Sequence, residues 1–259
     1  EGLRSKLKEK EWKPDYGSRK FNAKSGATAV CAREFLIAYN INLNTNDRTY
    51  ANEIAYEIRE RGRWKREGNV NPFYYKGEVV YFEKGKYPDG NSDFVAKSFE
   101  ELATHYKKKY GKDLRERYES IGLDPDNLEG MPVYKEGKFT HVKGLGWVIP
   151  EYNRAQISMN LTNYKISSIH EIYDATCEEA EKRGIRVTGS EIVGLIPYDA
   201  MKNAAEHYLS KMHKSPGLPV PDLMNVAIQS LGLSDVANFN PLDKVLGMPK
   251  TNGELANRI

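Results

Sequence analysis

Ile37, Tyr39, Ile41 and Leu43 alternate with Ala38, Asn40 and Asn42. A period of two commits this stretch to a half-buried strand. From Thr49 the spacing turns helical, with Ile54 and Ile58 four apart and Gly62 as the stop. Further along, VKGLGWVI and RAQISMNLTNYKI read as an antiparallel pair around Pro150–Asn153, with Ala155, Ile157, Met159 and Leu161 on one face. Ser168-x-x-Glu171 is a capping box, and the helix it opens sets Ile169, Ile172, Tyr173, Thr176 and Ala180 on one side before Gly184. VTGSEIVGLI is another strand. A helix bearing Met201, Ala204, Ala205, Tyr208 and Met212 follows Pro197. A last helix follows Pro221, with Leu223, Val226, Ala227 and Leu231 inward and Gly232 behind it.

Between about 64 and 140 the composition shifts to Tyr, Lys, Glu and Gly, with as many basic as acidic residues. Ser98-x-x-Glu101 forms a second capping box, ahead of a Leu102, Tyr106, Tyr110 stripe and Gly111. A short helix is expected over Leu114 to Ile121, strands around Tyr74 to Phe82, and a turn at Pro88-Asp89-Gly90. This stretch reads as an insertion, and residues 1–16 as a helix tail and connector ending at Pro14-Asp15. What remains runs strand, helix, two strands, helix, strand, helix. That order is α+β, with helices on one face of a mainly antiparallel sheet, and a ferredoxin-like βαββαβ sandwich with a large insertion fits it.

The 259 residues are 39% hydrophobic with a net charge of +3, ordinary for one or two domains with a real core. No apolar run approaches the length of a membrane span. The first residues, EGLRSKLKEKEWK, are charged throughout and carry neither an initiator Met nor a signal peptide. The expectation is a chain that starts mid-sequence or was processed. Cys31 and Cys177 read as two buried free thiols in a reducing, cytoplasmic compartment, with a disulfide between them as the alternative. The charge excess lies in residues 1–24, where the alternating run from Lys6 to Glu11 suits a solvated helix face. Arg19, Lys20 and Lys24 stand among small residues instead, better placed to meet an anion.

Several chemistries fail on spacing. His105, His141, His170, His207 and His213 form no metal-ligand pattern and read as surface or capping residues. Ser190 lacks the G-x-S-x-G surroundings of a nucleophile elbow. Cys177 sits mid-helix at a core-facing position and reads as a packed thiol. Gly144-Leu145-Gly146 has no third glycine opening a helix, so a strand with close backbone approach explains it better than a dinucleotide site. The tyrosines form no basic-aromatic motif for RNA. The loop Gly17–Gly26 leaves two readings open: a basic connector, or cations offering charge-assisted hydrogen bonds to a carboxylate, with Gly17 and Gly26 letting a flat ring approach.

The stretch WKPDYG…GATAVCAREFLIAYNINL resembles the start of the C-terminal subdomain of glutamate formiminotransferase, the folate-dependent transferase of histidine breakdown. Three more stretches are similar to that family in the same order: VKGLGWVIPEYNRAQISMNLTNY, the helix from His170 to Ala180, and VTGSEIVGLIPYDAMKNAAEHY. The likeness covers residues 11–62 and 141 to about 235, and the insertion is absent from the shorter animal-type members. VLGMPKTNG, at Val245–Gly253, resembles the link to a cyclodeaminase domain in fused members.

The resemblance implies that residues 17–259 form the C-terminal subdomain, after the tail of the N-terminal one. It implies transfer of a formimino group from N-formimino-L-glutamate to N5 of tetrahydrofolate, a co-substrate bound also in polyglutamylated forms. No metal, nucleic acid or membrane is expected to take part. Positions of the family's folate loop fall on Gly17, Ser18, Arg19, Lys20, Phe21, Asn22, Ala23, Lys24, Ser25 and Gly26. Two aromatic or proline positions of the animal loop are more polar here, so pterin contacts differ. The family's two α/β subdomains flank a folate tunnel and form a homodimer. Its catalytic histidine belongs to the N-terminal subdomain, so no histidine here inherits that role. The expectation is an N-terminally truncated, catalytically incomplete fragment, with a cyclodeaminase as a possible downstream neighbour. The alternative is a non-catalytic folate- or nucleic-acid-binding module.

Overall fold

The computed structural model describes residues 2–67 and 77–249. Two compact units separate, Glu1–Glu34 and Phe35–Ile259. The smaller holds one helical turn, Leu3–Lys6, and a loop closed by a bridge between Asn22 and Gly26.

In the larger unit, β1 (Ile37–Leu43) leads into α1 (Arg48–Ile58). The helices α2 (Phe99–Tyr110) and α3 (Leu114–Ser120) follow. Next come β2 (Val142–Ile149), β3 (Arg154–Leu161), α4 (Ile169–Glu181) and β4 (Val187–Val193). The helices α5 (Tyr198–Lys211) and α6 (Val220–Leu231) complete the series. The four strands form one sheet in the order β4–β1–β3–β2, every neighbouring pair antiparallel.

Local chemistry sets these boundaries. The Asp47 side chain accepts the Thr49 N–H at 2.8 Å and starts α1. Ser168 and Glu171 make both bonds of a capping box at α4. At α2 the reciprocal bond shifts: Ser98 accepts the Glu101 N–H, but Glu101 reaches back to the Lys97 N–H at 2.8 Å, not to that of Ser98. A 3₁₀ turn at Pro150–Tyr152, with Asn153 left-handed, closes the β2–β3 hairpin.

One face of the sheet carries Ile37, Tyr39, Ile41 and Leu43 against Ile157, Met159 and Leu161, all at most 2% exposed. Helices α1 and α4 cover this face. The glycines of β2 bring α1 onto the strand: a Cβ at Gly146 would lie 2.3 Å from the Asn52 nitrogen. Asn52 Oδ1 instead accepts the Gly146 N–H at 3.0 Å. Against expectation, β1 is not half-buried, since Asn40 and Asn42 on its other side are 6% and 1% exposed. Flanked by β3 and β4, even its polar side chains are enclosed.

Helices α5 and α6 pack on each other and extend the same core, with Met201, Ala204, Ala205 and Leu209 facing Leu223, Met224, Ala227 and Leu231. Two expected core positions move outward. Met212 lies past the end of α5 and is 48% exposed, and Val226 is half-buried while Met224 is buried in its stead. Neither cysteine is fully buried: Cys31 is exposed and Cys177 half-buried, both as free thiols.

The insertion has a core of its own, built from Phe82, Phe99, Leu102, Tyr118, Leu128 and Val133 among others. Its two ends meet, with Arg63–Trp64 pairing antiparallel with Tyr134–Lys135. Glu78–Val79 pairs with Arg66–Glu67, and positions 74–76 of the expected strand lie outside the described residues. Tyr87–Pro88 pairs with Val95–Ala96, so Pro88 ends a strand and Asp89-Gly90 opens the turn. Inside that turn the buried Lys65 ammonium donates to the carbonyls of Asp89 (3.1 Å) and Ser92 (3.0 Å).

Candidate functional site

In the smaller unit the loop Gly17–Gly26 is held by its own polar groups. Asn22 Oδ1 accepts the N–H groups of Lys24 (2.9 Å) and Ser25 (3.1 Å), and the Gly26 N–H bonds the Asn22 carbonyl at 2.8 Å. Such an Asx turn fixes the loop without tertiary help. Gly17 (φ +84°) and Gly26 (φ +65°) take left-handed conformations that side chains resist. The Arg4 guanidinium lies over the half-buried Phe21 ring at 5.3 Å. Arg19, Lys20 and Lys24 are exposed.

In the larger unit the second face of the sheet is rich in amides. Trp147 and Gln156 are a directly paired couple on β2 and β3. The indole can only donate, so Gln156 Oε1 accepts from Trp147 Nε1–H at 2.7 Å. Gln156 Nε2 therefore donates, to Asn42 Oδ1 at 2.8 Å and to Glu191 Oε2 at 3.4 Å. Asn42 Nδ2 donates in turn to Asp235 Oδ2 at 3.1 Å. The chain of donors thus runs one way, from indole to carboxylate.

Asp235 also accepts from Arg154 Nη1 (2.6 Å) and Thr188 Oγ1 (2.9 Å). Burial pushes its carboxyl up, but the hydrogen bonds from Arg154, Thr188 and Asn42 prevail and hold it below the ordinary carboxylate range. Its turn closes on β4 because position 189 is glycine: a Cβ there would lie 2.4 Å from Asp235 Cβ. Beside the network stand Leu145, Trp147 and Val193, 53%, 43% and 50% exposed. Gln156 and Asn42 spend their amides on partners inside the protein, so what this face turns outward is the apolar surface of those three side chains.

On the helical side, His170 of α4 and His207 of α5 meet with ring centroids 4.5 Å apart and planes tilted by 30°. His207 Nε2 lies 2.8 Å from Asp174, which also accepts from Tyr208 (3.2 Å) and Lys211 (2.9 Å). His170 Nε2 lies 3.1 Å from Ser168 Oγ, and its Nδ1 is buried without a partner. Burial first, and His207 second, push His170 down to about 4. Sequence spacing alone does not show that these histidines meet. Among the described residues no group of three or more His, Cys, Asp or Glu could hold a metal ion.

A model of the formiminotransferase domain matches residues 38–248, a span that takes in all of the sheet but Ile37. The chain belongs to this formiminotransferase family. Formimidoyltransferase-cyclodeaminase of Dictyostelium discoideum is 30% identical over 248 residues, covering 95% of this chain and 33% of that protein. The same-named protein of Sus scrofa is 28% identical, covering 95% and 32%. Glutamate formimidoyltransferase of Thermoplasma acidophilum is 29% identical over 209 residues, covering 81% and 44%. The chain therefore spans between a third and a half of the length of these relatives.

The loop residues singled out from sequence, Gly17–Gly26, lie ahead of the matched span and form one exposed, self-braced turn. The amide network of the sheet is what sequence reading missed. Its signal was present in the two central strands, where Asn40, Asn42, Gln156, Ser158 and Asn160 occupy the second face and the one charged residue, Arg154, stands at the start of β3.

Proposed function

We propose that this chain is the folate-binding half of a glutamate formiminotransferase, carrying the formimino group of N-formimino-L-glutamate to N5 of tetrahydrofolate in histidine degradation. The observation that carries this is the family match across residues 38–248, joined to relatives named for that transferase. The strand order and antiparallel pairing support a ferredoxin-like sandwich as the fold. Residues 17–259 serve as the C-terminal subdomain and residues 1–16 as the connector from an N-terminal one. The enzyme works in the cytoplasm as a homodimer.

In this reading Gly17, Ser18, Arg19, Lys20, Phe21, Asn22, Ala23, Lys24, Ser25 and Gly26 bind folate. Arg19, Lys20 and Lys24 meet the carboxylates of the glutamate tail, which in polyglutamylated forms offers more of them. This half of the enzyme supplies one wall of the cleft. The N-terminal subdomain supplies the other wall and the histidine that moves protons. N5 attacks the electrophilic amidine carbon of the formimino group and loses a proton, while the departing glutamate nitrogen gains one. Holding both reactants in one cleft lowers the barrier by orientation.

The test is a fluorescence titration of the chain with mono- and polyglutamylated 5-formyl-tetrahydrofolate. Arg19→Ala combined with Lys20→Ala is expected to weaken binding by roughly tenfold or more, most for the polyglutamylated form. Unchanged affinity would remove the loop from the site. Turnover of formiminoglutamate and tetrahydrofolate by this chain alone would overturn the division of labour between subdomains.

A further inference from the structure

The turn after α1 gathers four arginines whose charges are unequally matched. Arg63 pairs with Glu53 and, at 3.5 Å, with Glu57. Arg59 has only neutral partners: its Nε and Nη2 donate to the Gly62 carbonyl at 3.2 Å, its Nη1 to the Gly144 carbonyl at 3.2 Å, and its guanidinium lies 4.4 Å above the Tyr56 ring. Arg66 donates to the Gly77 carbonyl at 2.9 Å, and Arg61 is exposed. Among the described residues, none of Arg59, Arg61 and Arg66 has a carboxylate partner.

The three line a cavity of about 310 Å³ together with Trp64, Tyr56, Tyr134 and the Arg63–Glu53 ion pair, whose charges cancel. A second cavity of about 580 Å³ shares Arg59, Arg61 and Ile121 with it, and adds Arg117 and Lys143. Burial lowers the Arg59 pKa, Tyr56 opposes that shift, and the charges of Arg61 and Arg63 add to it. Unmatched cations brought close together repel one another, and an anion relieves that repulsion.

Guanidinium forks fit phosphate oxygens bidentately. A phosphate ester, with roughly 1.5 to 2 negative charges near neutrality, balances several unmatched guanidinium groups better than one carboxylate does. Trp64, 41% exposed and edge-on to Tyr134 at 6.4 Å, offers an aromatic surface beside those cations. We propose that this cavity binds a mononucleotide, with its phosphate on Arg61 and Arg66 and its base against Trp64. The insertion contributes Trp64, Arg66, Ile121 and Tyr134 to this wall.

Calorimetric titration of the whole chain with AMP, adenosine, inorganic phosphate and triglutamate tests this. AMP is expected to bind more tightly than adenosine or phosphate alone. Arg61→Ala with Arg66→Ala should weaken AMP by roughly tenfold or more with an unchanged thermal melt, since both side chains lie outside the cores. Trp64→Ala should weaken AMP and leave phosphate unaffected. No heat with millimolar AMP, equal AMP affinity in the double arginine variant, or tighter binding of triglutamate than of AMP would each overturn the proposal.

Discussion

Trp147 and Gln156 face each other on paired positions of β2 and β3, and the indole N–H of one donates to the side-chain carbonyl of the other across 2.7 Å. Gln156 is 0% and Asn42 1% exposed, so the Asn42 acceptor is left inside the protein when Gln156 is lost. Gln156→Leu is expected to destabilise the fold by about 1–3 kcal/mol, because it orphans both the indole donor and the Asn42 acceptor. Trp147→Phe should cost about 1 kcal/mol for the hydrogen bond. The double variant should cost less than the sum, which urea denaturation of the four proteins would read directly.

Asp235 links the sheet to the turn behind α6. Its folded pKa lies below the ordinary 3.8, so its stabilisation is complete above that value and is lost as pH falls through the folded pKa. Asp235→Asn should therefore lower the melting temperature at pH 7. The gap from the parent protein should close progressively below about pH 4. A constant gap down to pH 2 would mean that the carboxylate charge is not what Arg154 and Asn42 recognise.

His170 produces a pH dependence higher on the scale. Its folded pKa of about 4 lies below the ordinary 6.5, so the unfolded chain binds the proton more readily. Stability from the neutral ring is full above 6.5 and drains away as pH falls from 6.5 to 4. Since the ring is only half-buried, solvent screening reduces the effect to about 1–2 kcal/mol. His170→Gln should flatten the melting profile between those pH values, and NMR titration of the His170 ring should show the depressed midpoint.

Gly146 sets the distance between α1 and β2. Its missing Cβ would lie 2.3 Å from the Asn52 nitrogen and 2.7 Å from Ala51 Cβ. Since the obstructing nitrogen is helix backbone, no rotamer change relieves the contact. Gly146→Ala is expected to cost about 2–3 kcal/mol. Gly85→Ala, open on every side but at φ +72°, should cost only the backbone strain of about 1 kcal/mol. Comparing the two melts separates crowding from strain.

The elements that could be read from sequence are those whose signal is local. Alternation in β1 and β3, the capping box at Ser168, and the glycines at 111 and 232 are each settled within a few residues of chain. The unreadable parts join distant segments. The network from Trp147 to Asp235 draws on three strands and a turn, and its hydrogen bond between Gln156 and Asn42 spans 114 positions. His170 meets His207 only because α4 and α5 pack together. For Cys31 the opposite holds: cysteine usage across the chain carries no local signal of burial, and residues 27–36 form neither helix nor strand and leave it exposed. The arginine pocket is legible only in part, since Tyr56, Arg59, Arg61, Trp64 and Arg66 share one short stretch of sequence while Tyr134 and Ile121 come from far along the chain.

The pairing of Arg63–Trp64 with Tyr134–Lys135 bears on how such a domain can change over evolution. Entry and exit of the insertion lie side by side, and the intervening chain packs around a separate apolar centre. A segment attached in this way can be acquired, lost or exchanged at a single seam, with the four-stranded sheet threaded as before.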